Sequence, residues 1–296
     1  MQRFIRNVFC LLRPIQWAKN LFIFLPIFFG GRLFDVNSLI PAVISFISFS
    51  FVASAIYCFN DIHDVEYDRR HPTKKLRPIA TGEISRTEAW VICIVAALTG
   101  FIVISCLDRA QVIKVLLIIL VYFILNIFYC IKLKHYAIVD LFVIATGFVL
   151  RLFVGSYSSG IDLSHWIVIL TFLLALFLAF AKRRDDVITY ENTGIMQRRN
   201  VNRYNVDFMN QSLSIIAAVI LVSYIMYCVS SDIVDRVGGS YVYLTSVFVL
   251  AGVIRYLQLS IVDLKSASPT HVLITDHFIQ TCIACWIFSF LVLIYL

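Results

Sequence analysis

The chain has 296 residues, of which 60% are hydrophobic and only 15% are charged, and its mean hydropathy is +0.88. This composition excludes a soluble globular domain and indicates an integral membrane protein. The net charge of +7 lies in polar loops that are too short to form a nucleic-acid-binding domain. The eight cysteines lie mostly in apolar runs, so a disulfide framework is not expected.

The apolar runs predict an all-α bundle of membrane-spanning helices, since none of them alternates with the period of two that a transmembrane barrel requires. Residues 1–19, which combine Arg3, Arg6 and Arg13 with apolar side chains, predict a helix lying on the membrane surface. We interpret 1–296 as a single membrane domain. Nine spans follow in chain order: roughly 20–36, 40–59, 89–107, 112–131, 137–156, 164–181, 210–230, 240–258 and 276–296.

The basic residues predict the orientation of this bundle. With nine spans, most of the 25 Lys and Arg residues fall on one side of the membrane, and only Arg32, Arg109 and Arg236 fall in loops on the other. We therefore expect a multi-pass protein of the inner (cytoplasmic) membrane. The positive-inside rule places its N-terminus and the richly charged loops 60–87 and 182–209 on the cytoplasmic side, and its C-terminus outside. The oligomeric state stays open, a homo-oligomer included.

The first of these loops contains the most distinctive residues of the chain. Asp61, Asp64 and Asp68 have the spacing i, i+3, i+7, which on a helix places them within about 60° of one another. With Asn60 they offer oxygen ligands of the kind that Mg²⁺ prefers beside substrate phosphates. The basic residues that follow are suited to holding those phosphates, although a solvated acidic helix end would show the same acidic pattern.

Further charged and aromatic residues outside that loop are candidates for binding a substrate. Ionisable residues inside a span are costly and suggest function, although Asp140 and Arg151 could also be ion-paired struts between helices. The second loop begins with a run of cations and acids at the end of the sixth span. The candidates for substrate binding beyond Asn60 are Lys19, Lys74, Arg77, Tyr129, Lys132, Lys134, Asp140, Arg151, Lys182, Arg183 and Asp186.

Several motifs together resemble one known family. The pattern Asn60-Asp61-x-x-Asp64-x-x-x-Asp68 followed by Arg77-Pro78-Ile79-Ala80-Thr81-Gly82, on a nine-span chain, resembles the UbiA superfamily of intramembrane prenyltransferases. The segments 12–20, 68–75, 129–134, 147–151 and 181–183 are similar to its branch of phosphoribosyltransferases that act on decaprenyl phosphate. This resemblance covers nearly the full chain and implies a UbiA-type bundle whose active site opens to the cytoplasm.

The resemblance also implies a reaction and roles for the candidate residues. An enzyme of this branch transfers 5-phosphoribose from 5-phosphoribosyl 1-diphosphate to polyprenyl phosphate, releasing diphosphate, and it serves cell-envelope glycan synthesis. Mg²⁺ would be held by Asp61, Asp64 or Asp68 with Asn60. Lys74, Arg77, Lys182 and Arg183 would hold the phosphates of the donor, and Lys19, Lys132 or Lys134 would hold the phosphate of the lipid.

Two departures from the family pattern leave alternatives open. Users of prenyl diphosphates carry a second aspartate motif after the sixth span, where this chain has Lys182-Arg183-Arg184-Asp185-Asp186, and the branch tends to carry glutamate at the position of Asp186. The first departure favours an anionic sugar phosphate over a second metal cluster. The alternatives are a prenyltransferase that moves a prenyl group to a small acceptor and, from another class, a transporter of an anionic lipid or metabolite.

Overall fold

A computed structural model describes residues 2–69, 74–194, 196, 198, 200–237, 240–264 and 269–295. Every regular element among these residues is helical, and nine stretches of helix are long and apolar enough to cross a membrane. His71-Pro72-Thr73 and the basic residues Arg70, Arg199 and Lys265 lie outside the described residues. The nine stretches are Arg3–Phe29, Val36–His63, Arg86–Cys106, Arg109–Ile131, Val139–Ser159, His165–Thr193, Val206–Cys228, Tyr241–Ile261 and His277–Tyr295.

The chain divides into two compact units. The first comprises Met1–Lys134 and Gly147–Leu163, and the second comprises His135–Thr146 and Ser164–Leu296. The first unit contains α1 (Gln2–Leu12), a 3₁₀ helix (Pro14–Phe24), α2 (Leu25–Phe29), α3 (Val36–His63), α4 (Val65–Asp68), α5 (Pro78–Thr81), α6 (Arg86–Val103), α7 (Arg109–Ile131) and most of α8 (Val139–Ser159). The second contains α9 (His165–Thr193), α10 (Val206–Cys228), α11 (Ser231–Val237), α12 (Ser246–Ile261), α13 (Pro269–Thr275) and α14 (His277–Tyr295).

Helix α3 is the centre of the first unit, and small residues let its neighbours approach closely. Ser48 donates a hydrogen bond of 2.7 Å to the carbonyl oxygen of Gly100 on α6. At Gly155 of α8 an added Cβ would lie 2.0 Å from the carbonyl oxygen of Ile23, so the 3₁₀ helix packs directly on the α8 backbone. Small residues at helix contacts are typical of membrane bundles, where close packing replaces the hydrophobic effect between helices.

In the second unit α10 packs against α9 and α12, and α12 packs against α14. Buried polar side chains join these helices. Arg184 of α9 donates to the Asn210 side chain on α10 and to the carbonyl oxygen of Ser260 on α12, both at 2.6 Å. Tyr224 of α10 accepts a hydrogen bond of 2.7 Å from the Trp286 indole on α14.

The first span and the second charged loop differ from the sequence-based boundaries. We expected the first span at 20–36, but the helical stretch runs from Arg3 to Phe29 and ends at Gly30 and Gly31, the latter with φ 69°. Asp35 then caps α3 by accepting a hydrogen bond of 3.1 Å from Asn37 N. We expected a loop from 182 onward, but α9 continues to Thr193, because its charged residues are mostly good helix formers until Gly194 ends the helix with φ 69°.

Candidate active site

The acidic segment occupies the junction between α3 and α4. Helix α3 ends at His63, Asp64 forms a turn, and α4 ends at Asp68, so the segment is not one unbroken helix. Its helical path nevertheless continues, since Asp64 N donates to Asn60 O at 2.9 Å and Asp68 N donates to Asp64 O at 2.8 Å. The side chains of Asp61 and Asp68 are only 2% exposed, whereas that of Asp64 is 24% exposed.

Two arginines hold the buried carboxylates. Arg77 Nη1 lies 2.9 Å from Asp61 Oδ1 and 2.7 Å from Asp68 Oδ2, so that one nitrogen joins both residues. Arg13 Nη2 lies 2.6 Å from each carboxylate oxygen of Asp61. Like charges this close require such compensation, because burial removes the water that would otherwise solvate them.

Asp64 is paired separately. Lys134 Nζ, which follows α7 in the chain, lies 2.6 and 2.8 Å from the two Asp64 oxygens, and His63 Nδ1 lies 3.2 Å from Oδ1. Burial alone would raise the pKa of Asp64, but the Lys134 ammonium and then His63 outweigh it and hold the pKa below its ordinary value. For Asp68 the balance is reversed: burial raises the pKa, and the opposing effect of Arg77 is smaller.

These carboxylates have the chemistry of a Mg²⁺ site but are engaged with cations of the chain. In the part of the chain that the structure describes, no three His, Cys, Asp or Glu residues are arranged as a metal site. However, the Arg77 nitrogen shows that a positive charge fits between Asp61 and Asp68. The donor set therefore fits a hard divalent cation. The role of Asn60, in the last turn of α3, stays a prediction.

The other basic candidates of the first unit lie on several elements. The Lys74 ammonium lies 5.9 Å from the centre of the Tyr67 ring. Lys19 is half-buried on the 3₁₀ helix, and Lys132 is exposed at the end of α7. Tyr129 packs against the apolar core around α3. Their roles as substrate ligands remain predictions.

A second cluster of charges lies within the second unit, where the sequence predicted cations and acids. Arg183 pairs with Asp140, and both side chains are almost completely buried. Arg183 Nη1 also lies 2.9 Å from Asp186 Oδ2, which Arg198 Nε approaches to 3.3 Å. Tyr204 donates to Asp140 Oδ1 at 3.5 Å and accepts a hydrogen bond of 2.5 Å from Ile138 N. Lys182 lies next to this cluster in sequence, and phosphate binding by either basic residue stays a prediction.

Arg151 is buried within the first unit and contacts no carboxylate among the described residues. It donates to Asn20 Oδ1 at 2.8 Å, to Gly147 O at 2.6 Å and to Tyr122 Oη at 3.2 Å. Its guanidinium carbon lies 4.8 to 5.2 Å from the ring centres of Phe49, Tyr122 and Phe148. These contacts tie α8 to the 3₁₀ helix and α7 through neutral partners rather than through the ion pair we considered, and substrate binding by Arg151 stays a prediction.

Sequence reasoning missed three residues of these clusters. The sequence predicts Arg13 only as a charge of the surface helix and as part of the family-like segment 12–20, although the pair Arg13-Pro14 indicates an extended backbone or a turn. Arg198 was counted only among the basic residues of a loop. Tyr204 belongs to the second charged loop, but its contact with Asp140 has no signal in the sequence, because it joins residues 64 positions apart.

Comparison with known proteins gives a consistent result. A family model described as the UbiA prenyltransferase family matches residues 23–274. Over 291 residues the chain is 29% identical to a decaprenyl-phosphate phosphoribosyltransferase of Corynebacterium glutamicum, covering 96% of this chain and 86% of that protein. A Mycobacterium tuberculosis protein of the same name is 28% identical over 283 residues, covering 93% of this chain and 90% of that protein. A solved UbiA homolog from Archaeoglobus fulgidus bound to GPP and Mg²⁺ has a TM-score of 0.68 at 20% identity, with 98% and 100% of the two chains covered.

Proposed function

The chain belongs to the UbiA prenyltransferase family, and from this premise we propose that it transfers 5-phosphoribose from 5-phosphoribosyl 1-diphosphate to a polyprenyl phosphate. The all-α, nine-span fold expected from the sequence is confirmed, and the protein is a membrane-embedded transferase. The similarity to decaprenyl-phosphate phosphoribosyltransferases over more than nine tenths of the chain supports this choice of reaction.

The contacts of Arg77 are the observation that carries the proposal. A diphosphate leaving group needs carboxylates that can hold a metal and cations that can hold the phosphate oxygens. The site contains both, because the Arg77 cation contacts the carboxylates of Asp61 and Asp68. We propose that Asp61, Asp64 and Asp68, with Asn60, hold Mg²⁺. When bound there, the ion supplies positive charge to the diphosphate as the bond from ribose C1 breaks.

The residues of the chain supply the remaining requirements of the reaction. Arg77 and Lys74 bind and orient the diphosphate, and Lys134, Lys132 or Lys19 binds the lipid phosphate. An oxygen of that phosphate forms the new bond to ribose C1 while the diphosphate leaves with the electron pair of the old one. Because the attacking oxygen is already an anion, no general base is required, and a nearby carboxylate stabilises the oxocarbenium-like transition state.

The position of the basic residues supports a location in the cytoplasmic membrane with this site on the cytoplasmic side. A polyprenyl-linked pentose phosphate formed there would serve cell-envelope glycan synthesis. Reaction of the N-terminal segment with an impermeant label, in intact cells and in inverted vesicles, tests the orientation. Labelling from the outside of intact cells would contradict it.

The test of the function is direct. Purified protein in lipid nanodiscs is incubated with Mg²⁺, labelled 5-phosphoribosyl 1-diphosphate and decaprenyl phosphate, and the lipid fraction is analysed for the ribosylated product. We expect Asp64→Asn to lose product formation while remaining folded. The matched control Asp108→Asn, at an exposed position before α7, retains it.

The same assay includes the other reaction that the family allows. Prenyl diphosphates with aromatic acceptors replace the two substrates in a parallel arm. Turnover of a prenyl diphosphate without any ribosylated lipid would contradict the proposal and favour prenyl transfer. Unchanged product formation by Asp64→Asn would refute the metal-binding role of this aspartate.

A further inference from the structure

Arg13 has an unusual backbone conformation. Its φ and ψ are 53° and 58°, in the left-handed region, where a side chain other than glycine costs about 1 kcal/mol or more. Anchors on both sides maintain this turn: Leu11 is fully buried, and Ser54 of α3 donates to Leu12 O at 2.7 Å and accepts from the Trp17 indole at 3.0 Å. Strain that the surroundings enforce in this way is commonly found at functional sites.

The turn directs the side chain of Arg13 onto Asp61. A single nitrogen, Nη2, lies 2.6 Å from both carboxylate oxygens, so the guanidinium occupies the oxygens of Asp61 that a metal ion would need as ligands. The guanidinium also lies 5.2 Å from the centre of the Tyr57 ring. Nε and Nη1 make no hydrogen bond to any side chain or backbone group that the structure describes. Arg13 therefore keeps donors for an anion while one nitrogen holds Asp61.

We propose that Arg13 is a diphosphate-binding residue that exchanges Asp61 for a phosphate oxygen when a divalent cation binds the carboxylate. This rests on the proposed function in taking the same site to bind a metal diphosphate. With no diphosphate present, Arg13 competes with the cation for Asp61. With diphosphate present, the Arg13 guanidinium and the divalent cation both bind the diphosphate, so that each strengthens the binding of the other.

The exchange makes the binding of the cation depend on the diphosphate. A cation that arrives alone must displace a guanidinium at 2.6 Å from a buried carboxylate, and the displaced charge then has no counterion. A cation that arrives with diphosphate brings that counterion. Arg13 thereby favours loading the site with the metal and the leaving group together.

The test uses the full-length protein and a variant that keeps the turn. Arg13→Asn removes the charge, while asparagine tolerates the left-handed conformation. Dissociation constants are measured by ligand-induced thermal stabilisation for Mg²⁺ alone and for inorganic diphosphate with Mg²⁺. We expect Arg13→Asn to bind Mg²⁺ alone several-fold more tightly and Mg²⁺–diphosphate roughly tenfold or more weakly, because a charge-assisted hydrogen bond to the anion is lost.

Further variants complete the comparison. Arg3→Asn is the matched control, since Arg3 is exposed on the preceding helix α1 and pairs with Glu83, outside the site. It should leave both dissociation constants unchanged. Arg13→Lys restores a cation, and since a single nitrogen makes both contacts with Asp61, it should recover most of the diphosphate affinity. If Arg13→Asn does not fold, Arg13→Gly is measured in the same way, because glycine adopts this conformation without steric cost.

Opposite changes in the two dissociation constants distinguish this role from a structural one. If the constants weaken together, or if neither changes, the proposal is overturned. Inorganic diphosphate is common to phosphoribosyl and prenyl donors, so the test does not depend on which donor is used. Wild-type protein that binds Mg²⁺–diphosphate but forms no ribosylated lipid would overturn the proposed transfer and leave the role of Arg13 standing. Parallel titrations with phosphoribosyl diphosphate and a prenyl diphosphate identify the donor.

Discussion

The ion pair between Asp140 and Arg183 gives the most quantitative prediction for the second unit. Asp140 is completely buried and Arg183 is 2% exposed, so Asp140→Asn removes half of the charge compensation of a desolvated guanidinium. Breaking such a pair costs about 3 to 5 kcal/mol. Because Asp186 Oδ2 remains 2.9 Å from Arg183, we expect the lower end, about 3 kcal/mol. For a chain of this size that is a fall in Tm of about 6 to 12 °C.

A double-mutant cycle in lipid nanodiscs measures this effect independently of activity. The variants are Asp140→Asn, Arg183→Met and the pair together, each followed by thermal unfolding. In the double variant neither charge of the pair remains, so we expect it to recover at least half of the Tm lost by Asp140→Asn. Asp207→Asn, at an exposed position in the first turn of α10, is the control and should change little. An Asp140→Asn protein that melts within about 2 °C of the wild type would refute this reasoning.

Three further predictions concern the first unit. Gly155→Ala should prevent correct packing of the 3₁₀ helix on α8, because the new Cβ would lie 2.0 Å from a carbonyl oxygen. Gly147→Ala, also on α8, meets nothing closer than 3.5 Å and should fold. Expression yield and Tm of the two variants test this difference. Burial raises the pKa of Asp68 and so disfavours its charged form in the folded protein; the Tm of the wild type relative to Asp68→Asn should therefore rise as the pH falls from 7 towards 4, and a difference that does not depend on pH would contradict this. Lys134→Met should lower the Tm at pH 7, because the Lys134 ammonium holds the pKa of Asp64 below its ordinary value, and the difference should fade as acid protonates Asp64; a difference that does not shrink on acidification would contradict this.

The membrane helices and the acidic segment are largely predictable, because each depends on neighbouring residues. Hydropathy locates a span such as α7, which begins and ends within a few residues of its predicted limits. The end of α9 is less predictable, since hydropathy records where apolar residues stop and the backbone continues helically through Lys182 to Thr193. For the same reason the predicted first span begins too late. The arginines among the apolar residues of α1 lower its hydropathy, although the helical stretch already starts at Arg3.

The partners of the acidic residues are not predictable from local patterns. The bond between Arg13 and Asp61 joins residues 48 positions apart, and that between Lys134 and Asp64 joins residues 70 positions apart. Which cation meets which carboxylate depends on how α1 and α7 pack against α3, and on the left-handed turn at Arg13. The sequence of the segment predicts a site for a metal ion and a phosphate. Only the packed helices show that basic side chains of the chain already pair with its three aspartates.

That neutralisation bears on the kind of ligand that the site can accept. Three carboxylates and three cations, Arg13, Arg77 and Lys134, balance one another at the end of a membrane helix, where an uncompensated charge is costly. A divalent cation alone or a diphosphate alone would disturb this balance. A divalent cation together with a diphosphate would add little net charge, and each carboxylate that bound the metal would release a cation for a phosphate oxygen. Electroneutrality of the site thus favours a ligand that carries its own metal ion over either ion by itself.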